Sequence, residues 1–136
     1  MNVLTGSFAR YLFAAPFAIF GLLHFMNASG MAGMVPTWIP GGEFWVYLTG
    51  TAMLAASVAI IIGKLDRQAS FGLAALMGVY VLTIHIPGLI NAADEAAMGT
   101  AMSGMLKDLG LAAGALMMAA RSKHETVKEV VKEVAG

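Results

Sequence analysis

The chain has 136 residues, of which 59% are hydrophobic and 12% are charged, and its mean hydropathy is +0.78. This composition excludes an ordinary soluble domain and is typical of an integral membrane protein. The formal net charge is zero and there is no cysteine. Nucleic-acid binding has no support in the sequence. Without cysteine, thiol–disulfide exchange, thiolate metal sites and iron–sulfur ligation by this chain are excluded.

Four apolar segments have about the ~20 residues that a helix needs to cross a hydrocarbon core of roughly 30 Å. They cover residues 11–26, 44–63, 69–90 and 99–120. Helices satisfy their own backbone groups in lipid, and the alternation expected of a β-barrel is absent. The sequence therefore predicts an all-α integral membrane protein, a four-transmembrane-helix bundle in residues 1–120. Pro87 removes a backbone donor and predicts a bend in the third span.

The cationic residues predict the orientation of these spans. The loops at residues 27–43 and 91–98 contain no Lys or Arg. The positive-inside rule then predicts that both termini are cytoplasmic and that these two loops lie outside. The cations on the inner side are Arg10, Lys64, Arg67, Arg121, Lys123, Lys128 and Lys132.

The first outer loop and the C-terminal tail carry signals of their own. Pro36 and Pro40 argue against a continuous helix in the loop, and its apolar residues, including Trp38, suggest that it lies on the membrane or folds over the bundle mouth. In residues 121–136, valines recur at spacings of three and four, which predicts an amphipathic cytoplasmic tail. That tail would dock on a partner or on lipid, or extend the fourth helix into solvent.

Lys107 and Asp108 are adjacent ionisable residues inside the fourth apolar segment. Charges at that depth are costly unless they pair, meet a protein partner or line water, so they indicate a functional position. With the predicted topology, polar residues of three helices reach a similar depth on the outer side. We predict a polar ligand pocket there, formed by His24, Tyr80, His85, Lys107 and Asp108, with Ser103, Thr83 and Asn91 nearby.

Several interpretations of these residues stay open. Asp108 with Lys107 or a histidine would form a structural polar plug that fixes helix register. Alternatively, the pocket binds a quinone or another small amphipathic ligand: a histidine donates to a carbonyl oxygen, Asp108 sets the protonation state and Lys107 stabilises negative charge. Haem and copper are not favoured, since the histidines share no ligand spacing on one helix and methionine commonly fills packing gaps. No metal site and no catalytic motif is predicted.

Short motifs in order along most of the chain resemble the DoxX family of small bacterial membrane proteins. They are Arg10, the run Gly21–Phe25, Pro36 and Pro40, the run Phe44–Gly50, the Tyr80 to His85 turn, and Leu106–Leu109 followed by Gly114. This resemblance implies a four-helix bundle in the bacterial inner membrane. It also implies association with quinone-linked oxidation of sulfur compounds or with redox-stress complexes.

Three functional hypotheses follow. The first is an accessory subunit of a quinone-linked redox or respiratory membrane complex, which would act in oxidation only as part of that oxidoreductase. The second is a protein that binds a quinone or other small ligand in the outer pocket. The third is a purely structural subunit. Partners would be the bilayer and other membrane subunits or further copies of the chain, with Gly110, Gly114 and the valine stripe as contact surfaces.

Overall fold

The computed structural model describes residues 4–123 and 127–136, and all regular secondary structure within them is helical. The all-α prediction is therefore confirmed for this part of the chain; residues 124–126 of the predicted tail lie outside it. The elements are α1 (Ser7–Met26), α2 (Ala28–Ala32), α3 (Gly42–Ile62), α4 (Asp66–Tyr80), a π segment (Val81–His85), α5 (Ile86–Ile90), α6 (Glu95–Arg121) and α7 (Val127–Ala135).

Three helices in the described part of the chain are long and apolar enough to cross a membrane. They are Ser7–Met26, Gly42–Ile62 and Asp66–Ile90, which correspond to the first three predicted spans with slightly different ends. The 27-residue helix α6 is long enough but is not among them. Lys107 and Asp108 in its middle lower its hydropathy. The fourth span therefore stays a prediction.

The long helices form a bundle in which α1 packs on α3, α3 on α4, and α4 on α6. All four contribute to one apolar core, with Phe17, Ile60, Met77 and Ala115 fully or almost fully buried. Many large apolar side chains remain exposed on the outside of the bundle. Such a surface is unfavourable in water and suited to lipid.

Glycines allow α1 and α3 to approach closely. A methyl group at Gly50 would lie 2.6 Å from Cβ of His24 and 3.2 Å from the carbonyl oxygen of Gly21. Further along the same interface, the buried hydroxyl of Ser57 donates to the carbonyl oxygen of Ala14 at 2.9 Å. A methyl group at Gly110, by contrast, would meet nothing within 4 Å. The close helix contact in this bundle is thus at Gly21 and Gly50.

The third long helix changes its hydrogen-bonding register before Pro87. In the π segment the N–H of Ile86 donates to the carbonyl of Val81, five residues earlier. Pro87 has no N–H with which to continue the α-helical pattern toward Thr83, so a local change of register is expected there. This turn contains one more residue than an α-helical turn would. The side chains just before Pro87, including His85, are therefore rotated relative to their directions in a continuous α-helix.

Two short connections fix where the helices begin and end. Gly63 ends α3 in the left-handed conformation, with φ of +71° and its N–H directed at the carbonyls of Ala59 and Ile60. Glycine adopts that conformation without steric cost. At the other end of the bundle, the side chain of Asp94 accepts from the N–H of Ala97 at 2.7 Å and caps α6.

Replacing Gly50 with alanine should destabilise the bundle, because the added methyl group would overlap Cβ of His24 and crowd the carbonyl oxygen of Gly21, both in α1. Overpacking of this kind typically costs about 1–3 kcal/mol. The matched control is Gly72→Ala in α4, where a methyl group would meet nothing within 4 Å. Unfolding of both variants in mixed detergent, followed by circular dichroism, measures the difference. Equal stability of the two variants would contradict the close contact.

Candidate functional site

A cavity of about 830 Å³ lies between the four long helices, at the end of the bundle where α1 ends and α3 begins. Its wall is mostly apolar. The five side chains predicted to form a pocket all line this one cavity: His24, Tyr80, His85, Lys107 and Asp108. The helices thus bring together residues that are separated by up to 84 positions in the chain.

Asp108 is the buried charge of the site. Its side chain is 3% exposed, and its two carboxylate oxygens have different partners. His85 Nε2 lies 2.7 Å from Oδ2, and Lys107 Nζ lies 3.3 Å from Oδ1. A carboxylate removed from water needs such partners, since the desolvation cost of an unpaired charge is large. The pair that was expected between Lys107 and Asp108 is present and is completed by His85.

Two backbone features place His85 against Asp108. The π segment ends at His85 and directs its ring toward α6. On α6, a methyl group at Gly104 would overlap the ring of His85, so glycine leaves the room that the imidazole occupies. Gly104 lies four residues before Asp108 and therefore on the same face of α6.

His24 and Tyr80 form a second polar group on the cavity wall. His24 Nδ1 lies 2.6 Å from the carbonyl oxygen of Phe20, and Nε2 lies 3.3 Å from the Tyr80 hydroxyl. A carbonyl oxygen accepts only, so Nδ1 carries the proton, and in the neutral ring Nε2 accepts from Tyr80. The hydrogen bond between His24 and Tyr80 joins α1 to α4, and Thr49 of α3 lines the same cavity.

Lys107 lies at the border between the cavity and the outside of the bundle. Its side chain is 48% exposed, and its ammonium group lies 4.7 Å from the centre of the Phe20 ring. A cation over an aromatic face is stabilised by the electrons of the ring. An ammonium group has three N–H donors. The contacts with Asp108 and Phe20 do not use all three donors, so Lys107 can also donate to a ligand in the cavity.

The loop between α1 and α3 contributes to the mouth of the cavity, one of the two positions that the sequence suggested for it. Met31, Met34 and Ile39 are among its residues that line the cavity. Trp38 points away and is 76% exposed, whereas Trp45 at the start of α3 lines the wall. The indole N–H of Trp45 donates to the carbonyl of Pro40 at 2.9 Å, which ties the loop to α3.

Sequence reasoning misplaced one residue of the site and missed three others. Ser103, expected near the pocket, is exposed on α6 and does not contribute to the cavity wall, unlike Thr83 and Asn91. Phe20, Thr49 and Gly104 were missed. The spacing of four between Phe20 and His24, and between Gly104 and Asp108, was a signal that these pairs share a helix face.

The chain was compared with known protein families, curated proteins and solved structures. The model of a family described as Domain of unknown function (DUF8561) matches residues 13–123, which include all five site residues. No curated protein and no solved structure matches the chain. The resemblance to the DoxX family is therefore wrong. It depended on motifs of a few residues, and small apolar helix bundles share such motifs because they share packing requirements.

The ion pairs of Asp108 predict an order of variant stabilities. His85→Phe leaves the buried carboxylate with Lys107 alone, and loss of one partner of a buried pair typically costs about 3–5 kcal/mol. Lys107→Met should cost less, because the Lys107 side chain is half exposed. Adding Asp108→Leu to His85→Phe should recover part of the loss. Detergent unfolding of the complete double-mutant cycle checks this, and strictly additive losses would show that the pair is uncoupled.

Proposed function

The chain belongs to the DUF8561 family, and we propose that it is a multi-pass membrane protein whose cavity binds a small amphipathic ligand with a carbonyl oxygen, such as a quinone headgroup. One observation carries this proposal: five polar side chains from three helices line a single, mostly apolar cavity. Ligand sites characteristically combine an apolar wall with a few convergent polar groups.

The size of the cavity supports a ligand rather than a purely structural polar plug. A plug needs space for the paired side chains alone, whereas this cavity has a volume of about 830 Å³. Pockets for small molecules and cofactors are typically about 300–1,000 Å³. An apolar space of that volume has room for a substituted ring and part of an alkyl chain.

The polar groups favour a ligand that accepts hydrogen bonds. Asp108, the acceptor of the site, is already engaged by His85 and Lys107. Lys107 is a donor only, and its half-exposed ammonium group is the best placed to reach a ligand carbonyl. Tyr80 and His24 also line the wall, but the Tyr80 O–H is engaged by His24 and the His24 N–H by the carbonyl of Phe20. Asp108 then orients His85 and Lys107 instead of touching the ligand.

We further propose that α6 is the fourth span, that both termini are cytoplasmic and that the chain resides in the bacterial inner membrane. At ~1.5 Å per residue, the 27 residues of α6 extend about 40 Å, which exceeds a hydrocarbon core. The pairing of Asp108 with Lys107 and His85 lowers the cost of placing these charges in lipid. The cation-free loops at one end support the orientation.

The hypothesis of an accessory subunit in a redox complex depended mainly on the DoxX resemblance and loses that support. Association with other membrane subunits or with further copies of the chain stays a prediction. Of the glycines suggested as contact points, Gly110 faces open space, whereas Gly114 faces Phe13 of the same chain. Gly110 and the valine stripe of the tail therefore remain accessible to a partner, and Gly114 does not.

Single cysteines test the topology without background, since the chain has no cysteine. Thr37→Cys and Glu95→Cys should react with a membrane-impermeant maleimide in intact cells, whereas Lys123→Cys should react only after permeabilisation. All three side chains are exposed. Glu95 and Lys123 flank α6, so labelling of both from the same side would show that α6 does not span the membrane.

Ligand binding can be followed with Trp45 as the reporter. The chain has two tryptophans, and Trp38→Phe leaves only the one that lines the cavity. Decylubiquinone should quench its fluorescence with saturation, and decanol should not. Adding Lys107→Met should weaken binding about tenfold, since one lost hydrogen bond of about 1.4 kcal/mol corresponds to that factor.

The matched control for the Lys107 variant is Ser103→Ala, which changes an exposed side chain of α6 outside the cavity wall. It should leave binding of decylubiquinone unchanged. Equal affinity in the Lys107 and Ser103 variants would move the ligand site elsewhere. Native mass spectrometry after mild extraction identifies any small molecule that the chain retains.

A further inference from the structure

The helix α7 presents an apolar stripe that the described part of the chain leaves uncovered. Val127, Val131 and Val134 are 62%, 59% and 78% exposed, and Val130 is half buried. The polar face of the helix carries lysine and glutamate. A short helix with one apolar side gains little stability in water unless that side is buried.

An ion pair links α7 to the turn between α3 and α4. Glu133 of α7 and Lys64 of the turn between α3 and α4 approach to 2.5 Å. Both α3 and the helix that begins at Asp66 are long and apolar enough to cross a membrane, so the turn that joins them lies at a membrane surface. The ion pair therefore holds α7 at the level of the lipid headgroups.

The same contact relates the valine stripe of α7 to the turn. At 3.6 residues per turn, successive side chains are ~100° apart. Viewed down the helix axis, the four valines lie around one mean direction, and the Glu133 side chain points ~110° away from that direction. With Glu133 directed sideways at Lys64, the stripe lies roughly perpendicular to this contact, and the bilayer is the apolar side toward which it can turn. Val130 is on the side of the stripe nearest to Glu133, which agrees with its partial burial.

The charge at this end of the bundle, where the termini and the turn between α3 and α4 lie, favours an anionic surface. By their position in the chain, seven of the eight Lys and Arg residues and four of the eight acidic residues belong to this end. One of those four, Asp66, is buried and accepts a hydrogen bond from Ser122 at 2.8 Å. Basic groups near a membrane surface are attracted to anionic headgroups.

We propose that α7 is an interfacial helix that inserts its valine stripe into the headgroup region of an anionic membrane, with the ion pair between Glu133 and Lys64 setting its orientation. The bundle would thereby have a cytoplasmic foot lying flat on the bilayer. Interfacial helices of this kind combine a buried apolar face with electrostatic attraction to acidic lipids.

Spin labels on single cysteines test this in the full chain, reconstituted in vesicles of equal parts phosphatidylglycerol and phosphatidylcholine. The variants are Val131→Cys in the stripe and Lys132→Cys, its matched control on the polar face. Both side chains are exposed, so neither substitution threatens the fold. Collisions with oxygen, which enters lipid, and with a water-soluble nickel chelate report the depth of each label.

The ratio of oxygen to nickel collisions should be several-fold higher at Val131→Cys than at Lys132→Cys. This difference should shrink in vesicles of phosphatidylcholine alone, because the electrostatic contribution is lost. Equal exposure of both labels to nickel would show a solvated tail and overturn the proposal. A label at position 131 shielded from both oxygen and nickel would show a protein partner instead of lipid, which also overturns it.

Discussion

A carboxylate in the middle of an apolar bundle needs partners that come from elsewhere in the fold, and Asp108 takes them from the neighbouring residue and from another helix. Lys107 pairs with one oxygen and His85 with the other. That second contact requires the π segment before Pro87 to turn His85 toward α6, and it requires glycine at position 104 to leave room for the ring. The arrangement of the cavity wall follows from neutralising this one charge.

The two ends of the bundle are built differently. At the end with the termini, Ser122 donates to the buried Asp66, and Arg121 hydrogen-bonds to the carbonyl of Thr5. Gly114 faces Phe13 between the two ends of the bundle. The helices enclose the cavity at the end opposite the termini, and the loop that Trp45 holds by a hydrogen bond contributes to its mouth. The packed end thus gives the bundle a base that holds the walls of the cavity at the other end.

The candidate site was more predictable than the family. Ionisable residues inside apolar spans are expensive, so they marked Lys107 and Asp108, and helix direction then gave the depth at which His24 and His85 lie. The family resemblance failed because its motifs were short and apolar, and the match to DUF8561 replaces it. Packing was also predicted less well: Gly110 was singled out, whereas Gly21 and Gly50 form the close contact. A glycine spacing does not tell which neighbouring helix it faces.

The sequence by itself determined that the chain is helical and apolar, where three membrane-length helices lie, and which residues carry charge into the fourth segment. These properties depend on hydropathy and periodicity, which are local. The tertiary structure decided how the helices are rotated, and therefore that His24, Tyr80, His85, Lys107 and Asp108 share one cavity while Ser103 and Trp38 point elsewhere. Rotation depends on long-range packing at positions such as Gly50. It also depends on the change of hydrogen-bonding register before Pro87, and the extent of that change cannot be read from the sequence.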